Sequence, residues 1–393
     1  MNLDEIDLLD PENHADNPIG LYNWLRENDP VHWDPLNELW WISRYDDLIT
    51  VSRDPSLFTS TEGNRPHIPA DASMIHQDGH AHLMQRGIVA DRFSPRAVAA
   101  LEPFTRAQVN LLIDAMMAKG EAEFIGDLAA QLPMRVIGQM LGTPPENQDM
   151  VLAWVDVFGM GGCGPRWVTD EVEAAFMSFA GYHEEIIERK RLVPGDDLLT
   201  TWLNARLDGE PMRDDQLLYD HVLLTFGGSE TTRNVIGGAV DLFSRHEDQR
   251  AWLRQHPEGM ANAVEEIIRW VTPFVSMCRT ATRDVELGGK TIAAGQQIVM
   301  LYPAANRDPR RFTDPDAFDI RREFKHRPVT FGYGAHFCLG AALARMELRV
   351  VIEELFRRIP DIRVKPGTTP EWSRSSFIRG IKHMPVVFTP PSP

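Results

Sequence analysis

The sequence is short of cysteine, of positive charge and of long apolar runs, and each shortage closes off a class of protein. Three cysteines (Cys163, Cys278 and Cys338) cannot build a disulfide framework or a four-cysteine zinc site, and such sparse usage suits a reducing compartment. Lys and Arg number 40 against 57 Asp and Glu. The net charge of −17 repels phosphate backbones, so nucleic acid is not an expected partner. No uncharged apolar stretch reaches the ~18 residues that a membrane-spanning helix needs. The first residues are acidic and broken by Pro11 and Pro18, with neither a basic start nor an apolar core, so a cytoplasmic protein without a membrane anchor is expected.

What is present is ordinary globular composition: 393 residues, 43% hydrophobic and 25% charged. No repeat or low-complexity linker marks a boundary, so a single, mainly α domain over 1–393 is expected. Residues 80–270 and 339–360 read as helical from their apolar spacing. About 1–60, 280–330 and 365–393 carry short β-like runs between Asn, Asp, Gly and Pro turns. The longest helix candidate, Asp214 to His246, would extend roughly 50 Å at 1.5 Å per residue, enough to cross a domain.

The most informative stretch is FGYGAHFCLG, Phe331 to Gly340, leading directly into a helical run that ends near Arg358. Gly332 and Gly334 permit turns that aim successive N–H groups at one atom. Cys338 at the start of a helix meets free N–H groups and a positive dipole end, which favour the thiolate. One thiolate with no second cysteine or paired histidine points to haem iron rather than zinc or an iron–sulfur cluster.

This stretch resembles the FxxGxxxCxG haem-binding loop of the cytochrome P450 family, with every fixed position filled. The resemblance implies a large helical domain with a smaller β-containing N-terminal region, holding haem b between the long central helix and the cysteine-loop helix. It further implies Cys338 as axial iron ligand and Phe331, His82, Arg86, Arg279 and His336 as haem contacts, the last four toward the propionates. His82 and Arg86 stand at i,i+4 in a segment similar to the family's HxxxR, although Gly79 and His80 replace the usual preceding prolines. Glu266 and Arg269 match the family's structural ExxR pair. Its usual third partner is missing because Ala317 stands in that place, which leaves Arg307, Arg321 and Arg322 as candidates.

In the long helix, the glycines Gly227 and Gly228 and the hydroxyl residues Ser229, Thr231 and Thr232 around Glu230 are poor helix formers and predict a local opening of the hydrogen-bond ladder. The family places its oxygen-binding groove here, so Glu230 and Thr231 are the expected catalytic pair, relaying protons. By family position the substrate contacts are Met74, Ile75, Leu223, Phe226, Gly227, Val275, Ser276, Phe377 and Ile378. They are mostly apolar and favour a small hydrophobic substrate.

The implied reaction is hydroxylation of that substrate with O2 and two electrons. The sequence is similar to the bacterial branch that hydroxylates cholesterol or cholestenone side chains, so a steroid, sterol or terpenoid comes first and a fatty acid second. A non-catalytic haem sensor or carrier is the rival from another class. No nucleotide-binding glycine fingerprint is present, so electrons are expected from a ferredoxin and its NAD(P)H-dependent reductase. An acidic donor would need a basic docking patch, for which Arg92, Arg345, Arg349 and Lys325 are candidates.

Overall fold

The computed structural model describes residues 5–15, 18–118 and 120–389. Helices α1 (Ile19–Asn28) and α2 (Tyr45–Arg53) are interleaved with strands β1 (Val31–Asp34), β2 (Leu39–Ile42) and β3 (Phe58–Thr59). Then come α3 (Gly79–Ala90), α4 (Pro95–Met117), β4 (Glu121–Glu123), α5 (Gln131–Leu141), α6 (Pro145–Gly161), α7 (Asp170–Leu192) and α8 (Leu198–Asn204). A short hairpin, β5 (Arg206–Leu207) and β6 (Glu210–Pro211), leads into the central α9 (Asp214–Arg245), followed by α10 (Glu247–Gln255) and α11 (Met260–Val271). Strands β7 (Ser276–Ala281), β8 (Val285–Leu287), β9 (Lys290–Ile292) and β10 (Gln297–Leu301) precede α12 (Tyr302–Ala305), a long irregular stretch and α13 (Ala341–Arg358). Four short strands close the chain: β11 (Arg363–Val364), β12 (Glu371–Trp372), β13 (Ile381–His383) and β14 (Pro385–Val387).

The main sheet has the order β1-β2-β10-β7-β3. All its pairings are antiparallel except β2 with β10, where Ile298 lies opposite Trp40. The sheet therefore joins the N-terminal strands to β7 and β10, more than two hundred residues later, rather than forming an N-terminal unit. Nor are the expected β-rich stretches purely β: α1 and α2 lie within 1–60, and beyond Leu301 the 280–330 stretch holds α12 and irregular chain.

Helix α9 crosses the helical part, packed on α5, α6, α11 and α13. Small residues let its neighbours approach closely. A Cβ on Gly228 would lie 2.8 Å from Ile137 of α5, and one on Gly238 would lie 2.5 Å from Val271 of α11. The predicted opening of the ladder is absent, since α9 is helical throughout. Thr225, Ser229 and Thr231 instead fold their hydroxyls back onto carbonyls four residues earlier, which satisfies them without breaking the helix. No helix among the described residues is long and apolar enough to cross a membrane.

Candidate active site

Cys338 lies just ahead of α13, its N–H donating to Phe331 O at 2.8 Å so that the loop doubles back on itself. Two positive φ values make that turn possible, 70° at Gly332 and 74° at Gly334. A Cβ on Gly334 would stand 2.4 Å from Ser52 O at the end of α2, so glycine is required for packing as well as for conformation. The Cys338 side chain opens onto a cavity lined mostly by apolar side chains. Burial raises its thiol above the ordinary value, against the pull of the Gly340 N–H, Arg86 and Arg345. Burial thus opposes the thiolate expected from the helix start, and a bound metal cation would favour it. No cluster of three or more metal-ligating side chains occurs among the described residues.

The same cavity is lined by His82, Arg86, Arg279, Phe331 and His336, so the structure brings together the haem contacts expected from sequence. The His82 and His336 rings lie 4.2 Å apart. Burial lowers the pKa of His82 to about 4, and that of His336 also falls through burial, opposed by Asp78 Oδ1 at 3.0 Å. Arg86 donates to Phe337 O at 2.6 Å and Arg279 to Cys278 O at 2.7 Å, yet neither forms an ion pair with a described residue. Two arginines that face the cavity without a paired carboxylate are suited to the haem propionates. Gly340, with nothing within 4 Å of where its Cβ would stand, leaves room beside the cysteine. The residues present fit the group.

The brace behind the loop is a buried triad. Arg269 donates to Glu266 at 2.7 and 2.8 Å with both side chains fully buried, and Arg322 adds a third bond at 3.0 Å. Arg322 is therefore the third partner. Arg307 stacks on Trp270 instead, and Arg321 is exposed beside Asp319. Arg269 also donates to Asn306 O at 2.9 Å, and the Asn306 side chain bonds Val329 N and Thr330 Oγ1, directly ahead of Phe331. The triad thus reaches the cysteine loop through a single residue.

On α9, Thr231 lines the cavity and donates to Gly227 O at 2.8 Å. Glu230 is buried on another face, away from the cavity wall. Its Oε1 accepts from Arg233 at 2.5 Å, and Arg233 also donates to Asp156 of α6 at 2.5 Å. Burial raises the Glu230 carboxyl above its usual range although Arg233 opposes this.

Of the expected substrate contacts, Met74, Ile75, Leu223, Phe226, Gly227 and Phe377 line the cavity. Val275, Ser276 and Ile378 do not, and this corrects the expectation. Val275 is packed among Leu8, Trp41 and Leu301, Ser276 bonds Ser376 O at 2.8 Å, and Ile378 is buried in the main core. Strand alternation accounts for Ser276: on β7, Met277 and Arg279 face the cavity, and Ser276 and Cys278 face away, whereas Val275 and Ile378 lie outside that strand. Phe274 and Met277 take their place in the wall. Sequence reasoning also missed Arg65 and Glu347. Glu347 on α13 lines the cavity, and burial pushes its carboxyl well above the usual range. Its position between Leu343 and Val350 on the apolar face of α13 was the available signal.

The expected basic patch is largely neutralised by local carboxylates: Arg345 pairs with Glu265, Arg349 with Glu102 and Glu353, and Arg92 with Asp196. Lys325 is exposed with no ion pair among the described residues.

The sequence profile of the family described as "Cytochrome P450" matches residues 253–377. A steroid C26-monooxygenase of Mycolicibacterium smegmatis is 36% identical over 99% of this chain and 97% of its own length. A methyl-branched lipid omega-hydroxylase of Mycobacterium bovis is 35% identical over 94% and 91%. A Mycobacterium marinum cytochrome P450 solved with pseudoionone superposes with a TM-score of 0.90 at 31% identity over 99% of both chains. A Bacillus megaterium cytochrome P450 in complex with testosterone gives 0.89 at 30% identity over 96% and 99%. Similarity that runs the length of the chain and includes the cysteine loop and its brace makes this protein a member of the cytochrome P450 family, a monooxygenase dependent on haem b.

Proposed function

We propose that the protein hydroxylates a hydrophobic substrate of steroid, sterol or terpenoid type, oxidising a carbon presented in the cavity beside Cys338. One observation carries this reading: a single apolar cavity gathers Cys338, two arginines without ion-pair partners, Thr231 and the aromatic wall of Phe226, Phe274 and Phe377. The steroid C26-monooxygenase and methyl-branched lipid omega-hydroxylase among its relatives support attack at the end of a branched side chain.

Cys338 would ligate the haem iron, with Phe331 packed against the loop under the Arg345 guanidinium, 4.5 Å from its ring centre. Arg86 and Arg279, with His82 and His336, would hold the propionates. Haem b, once bound, supplies reductive activation of O2 and insertion of one oxygen atom into a C–H bond. The chain's own part is to position substrate, exclude water and deliver protons. Thr231 Oγ1 is the last proton-bearing atom at the cavity, and Glu230 is the acid that restores its proton. Because Glu230 is held by Arg233, each delivery requires its carboxyl to swing from Arg233 toward Thr231. The carboxyl raised by burial is suited to this, since it gains and loses a proton nearer neutrality than an exposed glutamate.

Electrons come in this proposal from a ferredoxin and its reductase in the cytoplasm. The docking face is carried by cations near the cysteine loop that no carboxylate neutralises: Arg53, which donates to Tyr333 of the loop at 3.1 Å, with Lys325 and Arg327. Charge reversal at Arg53 and Lys325 should slow ferredoxin-supported turnover and flatten its salt dependence; unchanged rates would sink this docking face. The substrate reading is tested with a panel of steroids, terpenes and fatty acids scored for low-to-high-spin shifts and for hydroxylated product. Turnover of fatty acids alone would move the assignment to a fatty-acid hydroxylase.

A further inference from the structure

Arg65, on the loop after β3, is a cation in the wall of the apolar cavity with no counter-ion. Its guanidinium lies 4.6 Å from the ring centre of Phe377, and its Nε is buried without a hydrogen-bond partner. No hydrogen bond or ion pair links its side chain to a described residue. The nearest acidic influence, Asp71, engages Ser73 N at 2.9 Å, His76 Nδ1 at 2.8 Å and the Ser73 hydroxyl through Oδ1, and forms no ion pair with Arg65. The Phe377 ring serves the face of the guanidinium but none of its in-plane donors. A half-buried charge whose Nε lacks a partner and whose wall is apolar is stabilised when an anion joins it.

The Phe377 contact seats Arg65 on the aromatic wall that runs from Phe377 to Phe226 and Phe274.

We propose that Arg65 is a specificity-determining residue that anchors the carboxylate of an acidic lipid, whose apolar body lies along this wall with its far end presented at Cys338. The proposal rests on the cavity being the substrate site and narrows its substrate class to amphipathic acids. A carboxylate matches the guanidinium fork through two parallel hydrogen bonds, which a lone hydroxyl or ester oxygen cannot supply.

The test is spin-state titration of the holoenzyme with matched pairs: palmitic acid against methyl palmitate, and 5β-cholanic acid against its methyl ester. The wild type should bind each acid about tenfold or more tightly than its ester, the equivalent of one charge-assisted hydrogen-bond pair. Arg65→Met should bring acid and ester to within about twofold, leave the ester affinity unchanged and keep haem content intact, while Arg65→Lys retains part of the preference. Acid and ester bound equally by the wild type would overturn the proposal and leave the hydrophobic-substrate reading standing. If neither member of either pair binds, both readings fall. Loss of haem from Arg65→Met would overturn it in favour of a cofactor contact, and equal weakening of acid and ester would overturn it in favour of a packing role. The wild-type comparison stands even if a variant fails to fold.

Discussion

Replacing Glu266 by Gln should damage both stability and the haem site, and the triad geometry sets the size of the effect. The Glu266 carboxylate accepts four bonds: Arg269 at 2.7 and 2.8 Å, Arg322 at 3.0 Å and the Asp319 N–H at 2.9 Å. The amide keeps one oxygen and presents an NH2 group to donors, so two of the four bonds are lost and two buried guanidinium ions lose their counter-charge. Hydrogen bonds to charged groups contribute about 1.5–3 kcal/mol each, and breaking a buried pair costs about 3–5 kcal/mol, so the two routes agree on roughly 3–5 kcal/mol. The loss should spread along Arg269, Asn306 and Thr330 to the cysteine loop. Urea unfolding followed in parallel by far-UV circular dichroism and by the Soret band measures both effects. Arg321→Ala, exposed and outside the triad, is the control, expected within about 0.5 kcal/mol of the wild type. A Glu266→Gln protein that loses less than about 1 kcal/mol and keeps a normal Soret spectrum would refute the reasoning.

Thr231→Ala should leave substrate binding and electron consumption largely intact while product falls and peroxide rises; fully coupled turnover would remove Thr231 from proton delivery. Gly227→Ala meets open cavity and improves helix propensity, so stability should hold or rise by up to about 1 kcal/mol while large substrates lose their spin shift. Gly228→Ala, facing Ile137, should destabilise instead, and calorimetry separates the two. His14 and His183 are buried, and burial lowers both pKa values to about 4. Since the folded state then binds fewer protons than the unfolded one, their stabilisation is complete above the unfolded value of about 6.5 and is lost as pH falls toward 4. Urea midpoints should drop across that window, and His14→Gln should shrink the slope by about 1.4 kcal/mol per pH unit; an unchanged slope would contradict the burial argument.

The cysteine loop was legible in the sequence because each position is dictated by local chemistry: glycines at positive φ, an aromatic residue, a lone thiol and a helix start. The long helix was legible to within one residue for the same reason, its apolar spacing being local. Arg322 could not be singled out, since it meets Glu266 across an irregular stretch whose path no spacing rule specifies. The opening expected at Gly227 and Gly228 came from propensity alone. Close packing on Ile137 and back-bonded hydroxyls keep the helix whole. Val275, Ser276 and Ile378 were assigned by segment; the two-residue alternation of β7 turns Ser276 away from the cavity, and Val275 and Ile378 lie outside that strand. Arg65 carries no local signal at all. Its meaning lies in the absence of a counter-ion, which only the folded chain displays.

The central claim is that Cys338 is the thiolate ligand of the haem iron. Its most direct test is the reduced, CO-bound difference spectrum of the wild type beside Cys338→His. The wild type should show a Soret band near ~450 nm that the variant, still binding haem, lacks. A band near ~450 nm that survives loss of the thiol would contradict the assignment.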